Sequence, residues 1–455
     1  MRTFDAIVIG AGQAGPALAG RLTEAGQSVA LIERKHLGGT CVNTGCMPTK
    51  ALVASAKAAH VARRAADYGV VLAGPVGVDM PAVRARAHKV TMDARSGLQG
   101  WIGGMKGCEL IRGQARFTGP HEIEVGGETL TAPRIFINVG GRAVVPDMPG
   151  VHDVATLNNT SILELETLPR HLVVVGGSYI GLEFAQMYRR FGAQVTVVEK
   201  GPRLVAREDP EVSDAIRAIL EGEGIAVRTN ATCISFAPHA DGVQVGVDCA
   251  SGEPFVVGSH ALLAVGRRPN TDDLGLEAAG VAMDARGYIQ VDDQLRTDVE
   301  GVWALGDCNG KGAFTHTSWN DYEIVAANLL DDDPRRVSDR IETYALYIDP
   351  PLGRCGMTET AARAAGHKVR VGKRPMTRVG RAVEKGETQG FMKVAVDADT
   401  NAILGAAILG VEGDEAIHSI LDTTAAGKPY TTLQRTMHIH PTVSELVPTV
   451  LGELA

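Results

Sequence analysis

Two textures of apolar residues alternate along most of the chain, short Val/Ile-rich runs and longer Ala/Leu-rich stretches of helical period. Phe4 to Ile9 predicts a strand, and Gly10-Ala11-Gly12-Gln13-Ala14-Gly15 predicts a tight turn. An Ala/Leu-rich helix to about Ala25 follows, then a second strand from Ser28 to Ile32 that ends at Glu33. Strand, glycine-rich turn, helix, strand and acid in that order form the pattern of a dinucleotide-binding unit. Its glycines let backbone N–H groups and a helix N-terminus meet a pyrophosphate, and its carboxylate holds ribose hydroxyls. Gly10, Gly12, Gly15 and Glu33 are the candidate residues of this first site.

The same order returns with a strand from His171 to Val175, the turn Gly176-Gly177-Ser178-Tyr179-Ile180-Gly181, a helix to about Phe191, and a strand from Gln194 to Val198 ending at Glu199. Gly176, Ser178, Gly181 and Glu199 are the candidates for a second nucleotide site, with the small Ser178 standing where the pattern has its middle glycine. A carboxylate at Glu199 would repel a 2′-phosphate, which favours NADH; the neighbouring Lys200 and Arg203 leave NADPH open. A turn-rich stretch with Val139 to Arg142 and Pro146 to Gly150 reads as a crossing into the second unit, and Val265 to Asn270 as the return. The buried-looking run Gly301 to Asp307 would bring a carboxylate to the strand ends of the first unit. From about Glu342 the texture shifts to alternating strands, Phe391 to Val396 and Ala402 to Leu409, with a helix near Asp414 to Thr424. The expected architecture is α/β, with two Rossmann-like dinucleotide-binding domains, 1–145 with 272–341 and 146–271, plus a C-terminal α+β domain over 342–455.

Composition narrows the function. The 455 residues are 45% hydrophobic and 22% charged, ordinary globular values, whereas 54 glycines are well above the usual share and suit close backbone approaches to a cofactor. A net charge of −8 has the wrong sign for a nucleic-acid binder. The stretches Arg63-Arg64 and Arg84 through Lys89 read as solvated helix faces. No run of apolar residues is long enough to span a membrane, and the N-terminus passes straight into a strand, so a cytoplasmic location is expected.

Seven cysteines in a chain of this length argue against a disulfide framework, and spacing singles out Cys41 and Cys46. Cys108, Cys233, Cys249, Cys308 and Cys355 are scattered and read as packing residues. A helix does not bring residues five apart close enough to bond, so the turn residues Asn43, Thr44 and Gly45 are needed between the pair. A helix through Ala51 to Ala66, with Pro48 in its first turn, would place both thiols at its N-terminus, where N–H groups lower a thiol pKa. That points to a redox pair. Zinc would need about four ligands, and neither a second cysteine pair nor a histidine cluster flanks the loop.

The chain resembles the FAD-dependent pyridine nucleotide-disulfide oxidoreductases, which include dihydrolipoamide dehydrogenase, glutathione reductase and mercuric reductase. The resemblance runs through Gly10 to Gly15 with Glu33, Gly38-Gly39-Thr40-Cys41 to Cys46-Met47-Pro48-Thr49-Lys50, Tyr179 to Glu183, Gly266 to Asn270, Gly306-Asp307, and His440-Pro441-Thr442 with Glu445. It implies FAD in the first site, with Glu33 on the adenosine ribose, Thr40 near the flavin phosphates and Asp307 on the ribitol, and NADH or NADPH in the second. Electrons would pass through flavin to a Cys41–Cys46 disulfide, leaving Cys46 as the thiolate beside the flavin and Cys41 as the thiol that attacks substrate. Lys50 and Glu183 would pair near the flavin, and Tyr179 would cover the nicotinamide pocket. His440, oriented by Glu445, would serve as acid/base from the partner subunit of a homodimer, a task that imidazole suits near neutral pH. His438 reads as a buried structural histidine.

Gln13 and Gly20 stand where a glutathione site would want small polar and arginine side chains, and the ending Gly452-Glu453-Leu454-Ala455 lacks the vicinal cysteines of mercuric reductases. Phe314 to Thr317 and Ser444 to Thr449 nevertheless resemble proteins of mercuric reductase-like type. A small disulfide such as lipoamide is the expected acceptor, with metal-ion or quinone reduction, or service as the flavoprotein subunit of a larger dehydrogenase complex, as alternatives.

Overall fold

The computed structural model describes residues 1–247 and 253–455. Strands Ala6–Ile9, Val29–Glu33, Cys108–Arg112, Arg134–Ile137 and Val302–Ala304 form one parallel five-stranded sheet, in the spatial order 302, 134, 6, 29, 108 by first residue. The near-continuous apolar content of Ala6–Ile9, Val29–Glu33 and Val302–Ala304 follows from coverage on both faces, as parallel sheets require, while the edge strand Cys108–Arg112 carries exposed charges. Leu18 and Leu22 of the helix Ala14–Glu24 pack with Val8 and Leu31 in one cluster. Each such side chain contributes about 1.5–3 kcal/mol of burial.

A second parallel five-stranded sheet repeats the plan, with Thr156–Leu157, His260–Leu263, His171–Val175, Gln194–Val198 and Ala226–Arg228 as neighbours in that order. The helix Tyr179–Phe191 follows its glycine turn. Both turns need glycine for the same reasons. Gly10 and Gly176 lie at φ +106° and +117°, and a Cβ on Gly15 or Gly181 would stand 2.1 Å from the carbonyl of Gly10 or Gly176 respectively. The stretches read as a crossing and a return pair with each other: Gly141–Ala143 and Arg267–Pro269 form an antiparallel ribbon.

The C-terminal part is an antiparallel five-stranded sheet, ordered Thr343–Leu346, Leu352–Gly356, Ile403–Leu409, Phe391–Asp397, Val369–Pro375. The helix expected near Asp414 to Thr424 is instead two short ones, Gly413–Ala416 and His418–Ala425. Cys308 and Cys355 are buried as expected, but Cys108 is half-buried and Cys233 is exposed, so the packing role fails for Cys233; Cys249 lies outside the described residues. His438 is half-buried rather than buried, with Nδ1 3.0 Å from the Thr436 carbonyl. Among the described residues, no helix is long and apolar enough to cross a membrane.

Buried charge ties the Tyr179–Phe191 helix to two other segments. Arg190 bonds Glu223 at 2.7 Å and Asp349 at 2.6 Å, and Lys57 reaches Asp349 at 3.0 Å. Burial works against the Asp349 charge, but Arg190 and Lys57 outweigh it and hold the carboxyl below its ordinary range. Replacing Arg190 by Met strips Glu223 of its ion-pair partner and leaves Asp349 with Lys57 alone, and is expected to destabilise the protein by about 3–5 kcal/mol, read as a lowered urea midpoint at neutral pH.

Candidate active site

One cavity of about 1310 Å³ collects most of the candidate chemistry, including Gly10, Gly12, Glu33, Thr40, Cys41, Cys46, Lys50, Tyr179, Glu183 and Asp307. It is larger than the roughly 300–1,000 Å³ of an ordinary small-ligand cleft. Gly15 is buried beneath the turn, and Gly176, Ser178, Gly181, Glu199 and Gly266 lie outside the cavity lining. His440 and Glu445 are also outside it, but they are paired: His440 Nδ1 is 2.9 Å from Glu445 Oε2 on a histidine whose side chain is 80% exposed.

The cysteine segment corrects the expected geometry. The helix begins at Cys46 and runs to Arg63, while Cys41 lies in a preceding short helix, Gly39–Asn43. Only Cys46 therefore sits at the N-terminus of the long helix. The chain breaks at Thr44 and Gly45, and Gly45 is required there because a Cβ would meet the Thr40 carbonyl at 2.9 Å. Asn43 braces the first short helix by donating to the carbonyls of Leu37 and Gly39.

The two sulfurs differ sharply. Hydrogen bonding from Cys41, then from Thr315, together with the Lys50 charge, pulls Cys46 down to about 6, against the opposing effect of burial. Cys41, sharing its proton with Cys46 and partly buried, is pushed well above the ordinary thiol range. Thr315 Oγ1 lies 3.2 Å from Cys46 Sγ. Lys50 Nζ bonds Glu183 Oε2 at 2.7 Å and lies 4.6 Å from the centre of the Tyr347 ring, and the backbone N–H of Tyr347 donates to Glu183 at 3.0 Å.

At the nucleotide turns, one device is used twice. Glu33 accepts the N–H groups of Ala11 at 2.9 Å and Lys35 at 2.7 Å; Glu199 accepts those of Gly177 and Gly201, both at 2.6 Å. Each carboxylate is thus held at its strand end by the second residue of the glycine turn and by the residue two further on. Asp307 follows the buried strand Val302–Ala304, and burial raises its carboxyl above the ordinary range, with Arg267 3.5 Å away as the opposing influence. Tyr179 packs on Phe314 with ring centres 5.3 Å apart.

Several of these contacts were not read from the sequence. Thr315 lies in the stretch Phe314 to Thr317 with no local sign of a sulfur partner, Arg267 follows Gly266 with no local sign of its contact to Thr40, and Asn138, which donates to the Gly10 carbonyl at 3.2 Å, has no sequence signal. Among the described residues, no group of three or more His, Cys, Asp or Glu is placed to hold a metal ion.

Comparison with known proteins decides the family. Residues 4–321 match the pyridine nucleotide-disulphide oxidoreductase family, and residues 343–451 match that family's dimerisation domain. The chain belongs to this family. It is 36% identical, over 98% of each chain, to the Escherichia coli protein named "Probable pyridine nucleotide-disulfide oxidoreductase RclA". It is also 36% identical to dihydrolipoyl dehydrogenase of Thermus scotoductus, over 98% of this chain and 96% of that protein. With mercuric reductase of Bacillus cereus it shares 30% over 97% of this chain and 70% of that one. The solved structure described as a Cu(II) complex of the HOCl-induced flavoprotein disulfide reductase RclA from Escherichia coli superposes with a TM-score of 0.90 at 35% identity, covering 99% of both chains.

As a member of this family, the chain is an oxidoreductase acting on a sulfur group and uses FAD and a pyridine nucleotide. The dimerisation-domain match indicates a homodimer. The residues present fit FAD: the cavity holds a glycine turn at a helix N-terminus for a pyrophosphate and a desolvated carboxylate at Asp307 for hydroxyl groups.

In the reduced protein, the Cys46 thiolate is expected to titrate with a midpoint near pH 6, being present above that value and lost as pH falls through it. Lys50→Met removes a cation that favours the anion, so ultraviolet thiolate absorbance should show the midpoint displaced upward.

Proposed function

We propose that the protein carries electrons from NADH to its Cys41–Cys46 pair and on to a small disulfide acceptor of the lipoamide type. The observation that carries this reading is the asymmetric pair itself, a depressed Cys46 at a helix start beside a proton-bearing Cys41, in one cavity with Lys50 and Glu183. In this reading residues 1–145 and 272–341 bind FAD, 146–271 bind the coenzyme, and 342–455 form the dimer contact. Gly10, Gly12, Gly15, Glu33, Thr40 and Asp307 hold FAD; Gly176, Ser178, Gly181, Glu199 and Gly266 serve the coenzyme, with Tyr179 covering the nicotinamide pocket. FAD, when bound, supplies the two-electron transfer between nicotinamide and disulfide.

The chain's own residues do the sulfur chemistry. Cys41 attacks one sulfur of the acceptor disulfide and forms a mixed disulfide, breaking the acceptor S–S bond and freeing its other sulfur as a thiolate, which stays tethered in a cyclic acceptor. Cys46 thiolate then attacks the Cys41 sulfur, which restores the Cys41–Cys46 disulfide and expels the second acceptor sulfur as a thiolate that takes its proton from solvent. His440 of the partner subunit, held by Glu445 of the partner subunit, takes the Cys41 proton and returns it to the leaving thiolate. Lys50 favours the Cys46 anion throughout, and Glu183 fixes the ammonium in place.

A second reading, metal-ion reduction, is favoured by one observation: the RclA structure that superposes on this chain is described as a Cu(II) complex. The test is anaerobic coenzyme oxidation by the flavoprotein, with NADH and NADPH in parallel, against lipoamide, glutathione disulfide, Hg(II) and Cu(II). NADH with lipoamide well above the rest supports the disulfide reading; turnover with the metals alone replaces it with the second. Cys41→Ala is expected to abolish disulfide turnover while leaving flavin bleaching by NADH intact, and His440→Ala to slow the disulfide half-reaction by roughly 10²-fold.

A further inference from the structure

The helix Thr315–Leu330 brings an indole to the mouth of the thiol cavity. Thr315, its first residue, is 3.2 Å from Cys46 Sγ. Trp319 is one turn further along, so its Cβ lies about 5–6 Å from that of Thr315 on the same helix face. Trp319 lines the same cavity as Cys41 and Cys46, yet it is 43% exposed. Large side chains left open to solvent are ordinary on a protein surface, but this one is tied to its own helix at both its polar atom and its ring. Its Nε1–H donates to Glu323 Oε1 at 3.0 Å, and its ring meets Tyr322 edge-on with centres 4.9 Å apart. Glu323 is itself fixed, accepting from Asn320 Nδ2 at 2.9 Å and pairing with Arg335 at 3.6 Å.

The indole's polar atom is thus satisfied within the protein, and its carbon surface is presented on the wall of the cavity that holds the reactive sulfurs. Such a surface gains energy from an apolar or planar partner and little from a small hydrophilic one. The Glu323 charge is met by Arg335, so the group that holds the indole is paired within the protein.

We infer that Trp319 is an acceptor-binding residue, and that it selects disulfides carrying an apolar body over small hydrophilic disulfides. This rests on the disulfide reading above. The probes are oxidised lipoamide, a neutral dithiolane with an apolar arm, and 2-hydroxyethyl disulfide, small and hydrophilic, each measured with NADH on the FAD-loaded dimer. Trp319→Ala should raise KM for lipoamide about tenfold with kcat within about twofold, the loss of one aromatic contact, and should move KM for 2-hydroxyethyl disulfide less than about twofold. Trp319→Phe, which keeps the ring and loses the bond to Glu323, should retain most of the affinity. Ferricyanide reduction by NADH, which does not need the dithiols, confirms that each variant is folded and loaded. Equal changes for both disulfides, or no change for lipoamide, overturn the role of Trp319 while leaving disulfide reduction standing. A wild-type protein that turns over neither disulfide removes the disulfide reading, and this inference with it.

Discussion

Keeping the Cys46 sulfur ionised near neutral pH within a cavity requires compensation from several directions, and much of the surrounding structure supplies it. Cys41 and Thr315 provide hydrogen bonds, Lys50 provides charge, and the first turn of the Cys46–Arg63 helix provides unpaired N–H groups. Lys50 is paired with Glu183, which is only 5% exposed and has its carboxylate oxygens met by Lys50 and the Tyr347 N–H. Glu183 lies on the helix of the second nucleotide turn, Tyr347 just beyond the first strand of the C-terminal sheet, and Thr315 at the start of a helix following Asp307. The sulfur is thus a point on which segments from along the whole chain converge.

The nucleotide turns show a second economy. A carboxylate at the end of the second strand holds the glycine turn in shape through one N–H, so Glu33 and Glu199 are structural before any cofactor arrives. The same device on two sheets explains why the duplicated pattern was legible in the sequence even though Ser178 interrupts it. What the pattern requires is close backbone approach at Gly176 and Gly181, and both glycines are kept.

Local chemistry was readable and long-range chemistry was not. Strand, turn and helix at each nucleotide unit follow from apolar periodicity and glycine position, and strand ends fell within a residue or two of expectation. The cysteine segment was harder, because two short helical pieces meeting at Gly45 look like one turn leading into one helix. Thr315 is 269 residues from Cys46, and no local signal joins them. His440 and Glu445 illustrate the limit in another way: the pair forms within the chain, yet neither residue lines the chain's own cavity, so the local pattern does not tie them to the cysteines.

The central claim is that reducing equivalents from the coenzyme reach the Cys41–Cys46 pair. Its most direct measurement is anaerobic titration with one equivalent of NADH, followed by acid quench, alkylation and mass mapping of every cysteine. The account predicts that two thiols appear together, at Cys41 and Cys46, while Cys308 and Cys355 keep the state they had before NADH. Flavin that bleaches while the peptide joining Cys41 and Cys46 remains oxidised would contradict it.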